Sequence, residues 1–328
     1  MIQPVEMRKA LRMTLHGGAS STTTEVWEML VATRDGDVER VTQLVSRRPE
    51  LATCQYNYTP PIHFAVREGH LPLVRVLVER GAYDPSYKAY PFGDSLLTIA
   101  QDRGHDEIAL LLEDALRQPG LTRKWRETGG IDYEQDEQQV QFDKALHKGD
   151  FQFVERSLRG RPELARNELS SWAEGVLMMP AKGQNRPLVE LLCQYGARVP
   201  DLSKWGREYY FKHGDMAEFL LESGMNARHM TWHHVTLLHD MAQKGDVAKA
   251  KLLLDHGAEI DAIDEEYCST PLGMAARWGH REMAVLLLER GADPGKAGAN
   301  WATPLAWARK KRHSGVVDAL LAAGAKDA

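Results

Sequence analysis

Apolar residues recur with helical spacing in short segments along most of the chain. In "STPLGMAARWGHREMAVLLLERGAD", residues 269–293, two apolar segments are separated by Gly-His and closed by Gly-Ala. Apolar positions three and four residues apart place one face of a helix against a core. Val285, Leu286, Leu287 and Leu288 supply such a face in the second segment. The pattern therefore predicts pairs of short antiparallel helices.

The same pattern returns at a fixed interval. "TLLHDMAQKGDVAKAKLLLDHGAEI" begins at Thr236 and "TPLAWARKKRHSGVVDALLAAGA" at Thr303, and with Thr270 between them the starts are 33 or 34 residues apart. Earlier copies begin at Pro60 and Ser95, 35 residues apart. Thr suits the cap of a first helix, Pro its first turn, and the final Gly a left-handed exit. The period predicts a solenoid in which stacked units share one core.

The period and the Thr-Pro-Leu-His motif resemble those of the ankyrin repeat family, from about residue 25 to 328. The resemblance implies an all-α solenoid of about nine helix-turn-helix units with hairpin fingers and degenerate central repeats. The predicted organisation is a flexible N-terminal segment at 1–24, repeats 1–3 at 25–117, an insertion at 118–139, degenerate repeats 4–6 at 140–235 and well-matched repeats 7–9 at 236–328.

The insertion, "QPGLTRKWRETGGIDYEQDEQQ", matches no repeat and contains Pro, Gly and several carboxylates. Two interpretations stay open. One is a solvated excursion that ends in a helix cap before Phe142 and Leu146. The other is a lid over the groove of the solenoid.

Composition and charge narrow the classes of partner. A net charge of -5 and a pI near 6.2 give no basic surplus, so no nucleic-acid partner is predicted. Three cysteines, Cys54, Cys193 and Cys268, are far apart and odd in number, which favours a reducing compartment over a disulfide framework. The sequence contains no apolar run typical of a signal peptide or a membrane span. These features predict a cytoplasmic protein with no membrane partner.

Aromatic residues occupy positions that the repeat assigns to its surface. In ankyrin-like proteins the two residues before Gly-His line the concave face, and Arg277 and Trp278 stand there. Other rings fall at or beside predicted hairpin tips: Tyr56, Tyr58, Phe92, Trp172, Trp232, Tyr267 and Trp301. Trp and Tyr are typical of recognition surfaces. With His233, Arg277 and Trp278 they form the predicted binding surface, although packing of single rings beneath the next finger stays open.

Carboxylates lie close to these rings in residues 230–301. "DAIDEEYCS" contains Asp264, Glu265 and Glu266, the preceding finger contains His233, and Asp240 begins the helix after it. Neighbouring fingers project side by side, so these groups and the rings of Trp232, Tyr267, Trp278 and Trp301 could converge. Such a set would serve acid–base chemistry on a carbohydrate, and would equally suit a basic peptide.

Most histidines have a place in the scaffold. His63 and His239 occupy the fourth position of the Thr-Pro-Leu-His motif, and others follow the mid-repeat Gly: His70, His105 and His280. His229 and His233 are four residues apart but on a predicted loop tip, so no zinc site is predicted. Neither a phosphate-binding Gly-rich loop nor a nucleophile elbow is found, and no metal or cofactor is predicted.

The resemblance implies a scaffold, with no enzymatic activity expected, that binds a partner protein through its aromatic-rich concave face. The alternative is an atypical enzyme or small-ligand binder, for instance of carbohydrate, using the fingers of residues 230–301. Its catalytic candidates are Asp240, Asp264, Glu265, Glu266 and His233. A third interpretation is self-association through the exposed rings. Tyr267 and Trp278 are expected to be exposed, so their replacement by Ala should leave folding nearly unchanged.

Overall fold

The helices come in pairs. The computed structural model describes residues 1–118, 120–123, 130–133 and 135–326. The first helices of the pairs are α1 Thr23–Arg34, α3 Pro61–Arg67, α5 Leu96–Arg103, α7 Glu137–Lys148, α10 Met178–Lys182, α12 Gly206–Tyr209, α14 Leu237–Lys244, α16 Pro271–Trp278 and α18 Pro304–Lys310. The second helices are α2 Val38–Arg47, α4 Leu71–Glu79, α6 Asp106–Arg117, α8 Phe151–Gly160, α11 Arg186–Gln194, α13 Gly214–Glu222, α15 Val247–Asp255, α17 Arg281–Glu289 and α19 Ser314–Ala322. One more short element, α9, covers Ser170–Ala173. The predicted all-α solenoid of about nine units is confirmed.

The chain divides into two compact units. A six-pair unit consists of Met1–Val5 and Gln135–Ala328, and a three-pair unit of Glu6–Glu134. Within the six-pair unit, α16 packs between α14 and α18, and α17 packs between α15 and α19. First helices therefore stack on first helices and second helices on second helices. None of the helices in the described ranges is both long and apolar enough to span a membrane.

The start and stop signals act as the sequence predicts. The Thr270 hydroxyl accepts a hydrogen bond from the Gly273 N–H at 3.3 Å, and Pro271 stands at the start of α16. Gly279 ends the helix with φ at 78°, in the left-handed region that glycine adopts without steric cost. Each first helix can therefore be short and still have defined ends.

A ring from the following pair covers the glycine that ends a first helix. A Cβ on Gly279 would lie 2.6 Å from His313 Nδ1, so the imidazole packs directly on the backbone. The His313 Nε2–H also donates to the Arg277 carbonyl at 3.1 Å. The same ring–glycine contact joins His280 to Gly245, His70 to Gly36 and His105 to Gly69. The structural role predicted for the mid-repeat histidines is confirmed.

The central repeats are shortened at their first helices. α10 has 5 residues and α12 has 4, whereas their partners α11 and α13 each keep 9. These two central repeats thus keep the second-helix pattern and lose much of the first helix, as the sequence indicates, whereas α7 in the repeat before them has 12 residues. The intervening turns include 3-10 helices at Val5–Arg8, His16–Gly18, Pro49–Thr53, Pro162–Arg166 and Asn300–Ala302.

The N-terminal segment differs from its prediction. Residues 1–24, expected to be a flexible lead, contain the antiparallel strands β1 Arg12–Thr14 and β2 Ser20–Thr22. Met7, Met13 and Leu15 are buried there, which supplies the apolar contacts that a flexible segment lacks. Of the insertion at 118–139, residues 119, 124–129 and 134 lie outside the described residues. Its C-terminal end forms the first turn of α7, capped by Asp136.

Candidate functional site

Most of the predicted binding surface is buried. Six of its residues are at most 8% exposed: Tyr56, Phe92, Trp232, His233, Tyr267 and Arg277. Trp278 and Trp301 are half-buried. Tyr58 is 44% exposed and Trp172 is 57% exposed. The expectation of one continuous exposed surface is therefore wrong for these five rings and Arg277, because their side chains pack in the interior of the fold.

Arg277 draws the rings of the last two repeats inward. Its guanidinium carbon lies 4.2 Å from the ring centroid of Tyr267, 4.2 Å from that of Trp278 and 5.1 Å from that of Trp307. Tyr267 meets Trp278 and Trp307 edge-on, each at 5.8 Å, and Trp301 meets Trp307 edge-on at 5.7 Å. A desolvated cation over an aromatic face contributes about 2 kcal/mol. The Arg277 guanidinium thus lies on the faces of Tyr267 and Trp278, where a sugar would otherwise stack.

This packing also corrects the expectation for Tyr267. Its side chain is 2% exposed, so replacement by Ala removes a core ring and does not leave folding unchanged. Asp264 shapes the same loop, because its carboxylate accepts from the Tyr267 N–H at 2.7 Å and the Ser269 N–H at 3.1 Å. The Trp307 indole N–H donates to the Ser269 hydroxyl at 2.7 Å and ties that loop to α18. Asp264 therefore stabilises a loop at a buried position.

His233 and Glu266 form a buried pair. His233 Nδ1 lies 2.5 Å from Glu266 Oε1, with their side chains 5% and 4% exposed. The Trp232 ring packs against the imidazole at a centroid distance of 3.9 Å. Glu265, in contrast, is half-buried and pairs with His234 Nδ1 at 2.8 Å and with the amino group of Met1. The His–carboxylate pair has the composition of a general base, but it is closed off from solvent.

Asp240 belongs to another contact group. Its carboxylate lies 3.3 Å from Arg207 Nη1, and both side chains are largely buried. Burial raises the pKa of Asp240 to about 6, and the neighbouring Arg207 and Lys244 act in the opposite direction. A carboxyl group of this kind could donate a proton near neutral pH. Its ion pair with Arg207 also gives it a structural role between α12 and α14.

Two further histidines are structural. His229, which the repeat motif does not explain, is buried with Nδ1 2.6 Å from the Pro200 carbonyl and Nε2 2.7 Å from the Ser203 hydroxyl. His239 Nε2 lies 3.1 Å from the Ser269 carbonyl. Burial lowers the pKa of each ring to about 4, so both are neutral at pH 7. His239 thus bonds backbone as its motif position predicts.

Trp172 is the most exposed of the predicted aromatic residues. It lies in α9, where Ser171, Trp172 and Ala173 have φ values of 52°, 60° and 61°. Three successive non-glycine residues in the left-handed region cost about 1–2 kcal/mol each. The His147 ring lies 5.3 Å from the indole. The chain therefore displays this indole at an energetic cost.

Side chains from outside the tip hold it in this conformation. The Asp143 carboxylate accepts from the Ser170 hydroxyl at 2.6 Å and from the Ser171 N–H at 3.4 Å. The Lys204 ammonium donates to the Trp172 carbonyl at 2.6 Å. These bonds offset the strain and hold the backbone that carries the indole.

The sequence interpretation missed three contributors to these sites: Asp143, Lys204 and Trp307. Trp307 lies in an apolar first helix, four residues after Thr303, so its position in the helix would have placed it in the core. Asp143 and Lys204 act on residues 27 to 32 positions away, and no local pattern indicates such contacts.

Comparison with known proteins gives the same repeat. A family model described as "Ankyrin repeats (3 copies)" matches residues 209–298 and 238–327, and one described as "Ankyrin repeat" matches residues 58–89. The chain is 35% identical over 100 residues to palmitoyltransferase ZDHHC17 of Danio rerio, which covers 30% of this chain and 16% of that protein. It is 40% identical over 75 residues to palmitoyltransferase ZDHHC13 of Mus musculus, covering 23% of this chain and 12% of that protein.

The chain thus matches only a small part of the length of these relatives, and the match is confined to their ankyrin region. The transferase activity in their names belongs to the whole proteins. What this chain shares with them is sequence similarity over 75 to 100 residues of that region. The chain is an ankyrin-repeat protein.

Proposed function

We propose that this protein is an interaction scaffold whose six-pair unit recognises a partner protein at the α9 tip, with Trp172 as the central contact. The supporting observation is an indole 57% exposed on a strained turn that is held by Asp143 and Lys204. Strain of this kind persists where the surroundings enforce it, and it is concentrated at functional sites. Trp is also enriched among the residues that dominate binding energy at interfaces.

Half-buried Trp278 and Trp301 form a second part of the proposed surface, and Tyr58 is a separate exposed ring on the three-pair unit. These rings retain accessible area, whereas the six buried residues act through the scaffold. A carbohydrate-binding or catalytic role has less support, because Arg277 covers the faces of Tyr267 and Trp278. The three free cysteines are in keeping with a reducing, cytoplasmic setting.

Site-specific photo-crosslinking tests the proposal. A benzophenone side chain at position 172 should capture a defined protein from extracts of the source cells. The same group at Phe151, an exposed ring on the second helix α8 of the same unit, is the matched control. Capture of the same proteins at both positions would refute the proposal.

A variant pair then separates the side chain from the strained backbone. Trp172→Gly removes the indole and relieves the left-handed strain, whereas Ala173→Gly relieves strain and keeps the indole. If Trp172 is the central contact, only Trp172→Gly should weaken binding of the captured partner, by about 2 kcal/mol or more in binding free energy measured without the crosslinker. Equal binding by both variants would show that the indole is not a contact.

A further inference from the structure

First and second helices differ in the charge of their last turns. In the six-pair unit all six first helices have a basic residue there. Among its six second helices, all within the described residues, only α8 has one. Three second helices end instead on an acidic residue, Glu222, Asp255 or Glu289. The helix dipole favours cations equally at both sets of C-termini, so it does not explain the difference.

Two of the basic residues on first helices make contacts inside the fold. Arg207 pairs with Asp240, and Arg277 lies among the rings of Tyr267 and Trp278. The other four first helices have exposed lysines in their last turns, here called the lysine row: Lys148, Lys182, Lys244 and Lys310. The row therefore presents four exposed positive charges along the first helices.

Contacts of the row place its members along the stack of first helices. Lys182 Nζ lies 5.4 Å from the Tyr209 ring centroid on the next first helix, α12. Lys244 Nζ lies 3.9 Å from Glu208 Oε1, also on α12. Two lysines on either side of α12 thus reach toward the same helix. The ammonium groups therefore lie in a line that runs from one first helix to the next.

We propose that the lysine row binds an extended acidic segment of a partner protein. This rests on the proposed function and names the chemistry of the partner. From α7 to α18 the first helices make five successive contacts. With packed helices about 8–10 Å apart, the row spans about 40–50 Å. An extended chain rises about 3.3 Å per residue, so a segment of about 12–15 residues covers the row.

The spacing and number of lysines favour a protein segment over a nucleic acid. Strong phosphate binding rests on about 6–10 contacts, and the row offers four exposed lysines. Glu208, 42% exposed, lies between Lys182 and Lys244 and would repel a uniformly charged backbone. A polypeptide can place its carboxylates opposite the lysines and a neutral residue opposite Glu208.

Fluorescence anisotropy with the full chain at low ionic strength tests the inference. The probe is a labelled peptide of about 14 alternating Glu and Gly residues, matched by a Gln-Gly peptide of equal length. We expect the Glu peptide to bind about tenfold more tightly than the Gln peptide, since only the Glu peptide can form weak, exposed ion pairs with the four lysines. The fourfold variant Lys148→Gln, Lys182→Gln, Lys244→Gln and Lys310→Gln should lose this preference.

A second fourfold variant controls for net charge. It replaces exposed cations of second helices in the same unit: Arg159→Gln, Arg186→Gln, Lys251→Gln and Arg281→Gln. This variant should keep the preference for the Glu peptide, and circular dichroism confirms that both variants are folded. Equal loss in both variants, or no preference in the wild type, would overturn the inference.

Two more measurements separate the remaining outcomes. Binding of an oligothymidylate more tightly than the Glu peptide, with loss in the lysine-row variant, would overturn the inference in favour of a nucleic acid. Crosslinking from position 172 in the lysine-row variant distinguishes the two proposals. Two results together would overturn the lysine-row inference and leave the scaffold function standing. The lysine-row variant would capture the partner from position 172 as well as the wild type does, and the wild type would not bind the Glu peptide.

Discussion

Replacing Gly279 by Ala should weaken the contact between the last two repeats. The new Cβ would lie 2.6 Å from His313 Nδ1, closer than side-chain carbons approach in folded proteins. The backbone there has φ at 78°, so Ala also adopts a left-handed conformation. The imidazole must shift, and it then loses its 3.1 Å hydrogen bond to the Arg277 carbonyl.

The magnitude follows from these two effects. The left-handed Ala costs about 1–2 kcal/mol, and the lost hydrogen bond costs about 1 kcal/mol, giving about 2–3 kcal/mol together. Gly257→Ala is the matched control, because Gly257 has φ at 82° and nothing lies within 4 Å of its added Cβ. Gly257→Ala should lower the free energy of unfolding only by the cost of the left-handed backbone, about 1–2 kcal/mol.

A double-mutant cycle with His313→Ala isolates the ring. In that background Gly279→Ala should cost no more than the control, a coupling of about 1 kcal/mol. Urea unfolding followed by circular dichroism gives the free energies, and hydrogen exchange in α18 and α19 shows whether the last pair opens first. If Gly279→Ala and Gly257→Ala cost the same, or if the cost is unchanged without His313, the ring–glycine contact does not stabilise the interface.

Four further predictions can be checked by urea unfolding. Burial lowers the pKa of His229 to about 4, below its unfolded value near 6.5, so the stability from its neutral ring is complete above that value and falls by about 2 kcal/mol at about pH 5. His239 has the same lowered pKa and contributes a fall of similar size, so His229→Gln should remove about half of the combined fall; a wild-type slope in the variant would contradict it. Asp240 acts oppositely: its pKa is raised to about 6 from an unfolded value of about 3.9, so stability decreases as the pH rises from about 4 to about 6, and Asp240→Asn should remove that decrease. Tyr267→Ala should cost about 3–5 kcal/mol, and a cost under about 1 kcal/mol would place the ring outside the core. Ala173→Gly should raise the free energy of unfolding by up to about 1 kcal/mol, because relief of the left-handed strain, about 1–2 kcal/mol, exceeds the extra conformational entropy that glycine loses on folding, about 0.5–1 kcal/mol; a decrease would show that no strain is stored there.

The paired helices could be predicted because their signals are local. Thr270, Pro271 and Gly279 lie within ten residues of one another, and each acts through the backbone next to it. The apolar spacing fixes which face of each helix is buried. These signals recur in the well-matched repeats, so fold class and approximate repeat number follow from the sequence alone.

The exposure of the fingertip rings could not be predicted in the same way. Whether Tyr267 points outward depends on Arg277 and Trp307, which lie 10 and 40 positions further along the chain. A charged residue before the mid-repeat glycine usually faces solvent, and here three rings replace that solvent around a guanidinium. Trp172 has a comparable dependence, since its exposure rests on bonds from Asp143 and Lys204.

The ring–glycine contacts give the solenoid a direction. In each of them the imidazole comes from the later pair and seats on the earlier one, as with His280 on Gly245 and His313 on Gly279. During translation, a helix pair therefore lacks the imidazole that packs on its glycine, here called its clamp, until the next pair has been synthesised. Deleting a pair from the C-terminal side unclamps the one before it, whereas deletion from the N-terminal side leaves every remaining clamp in place.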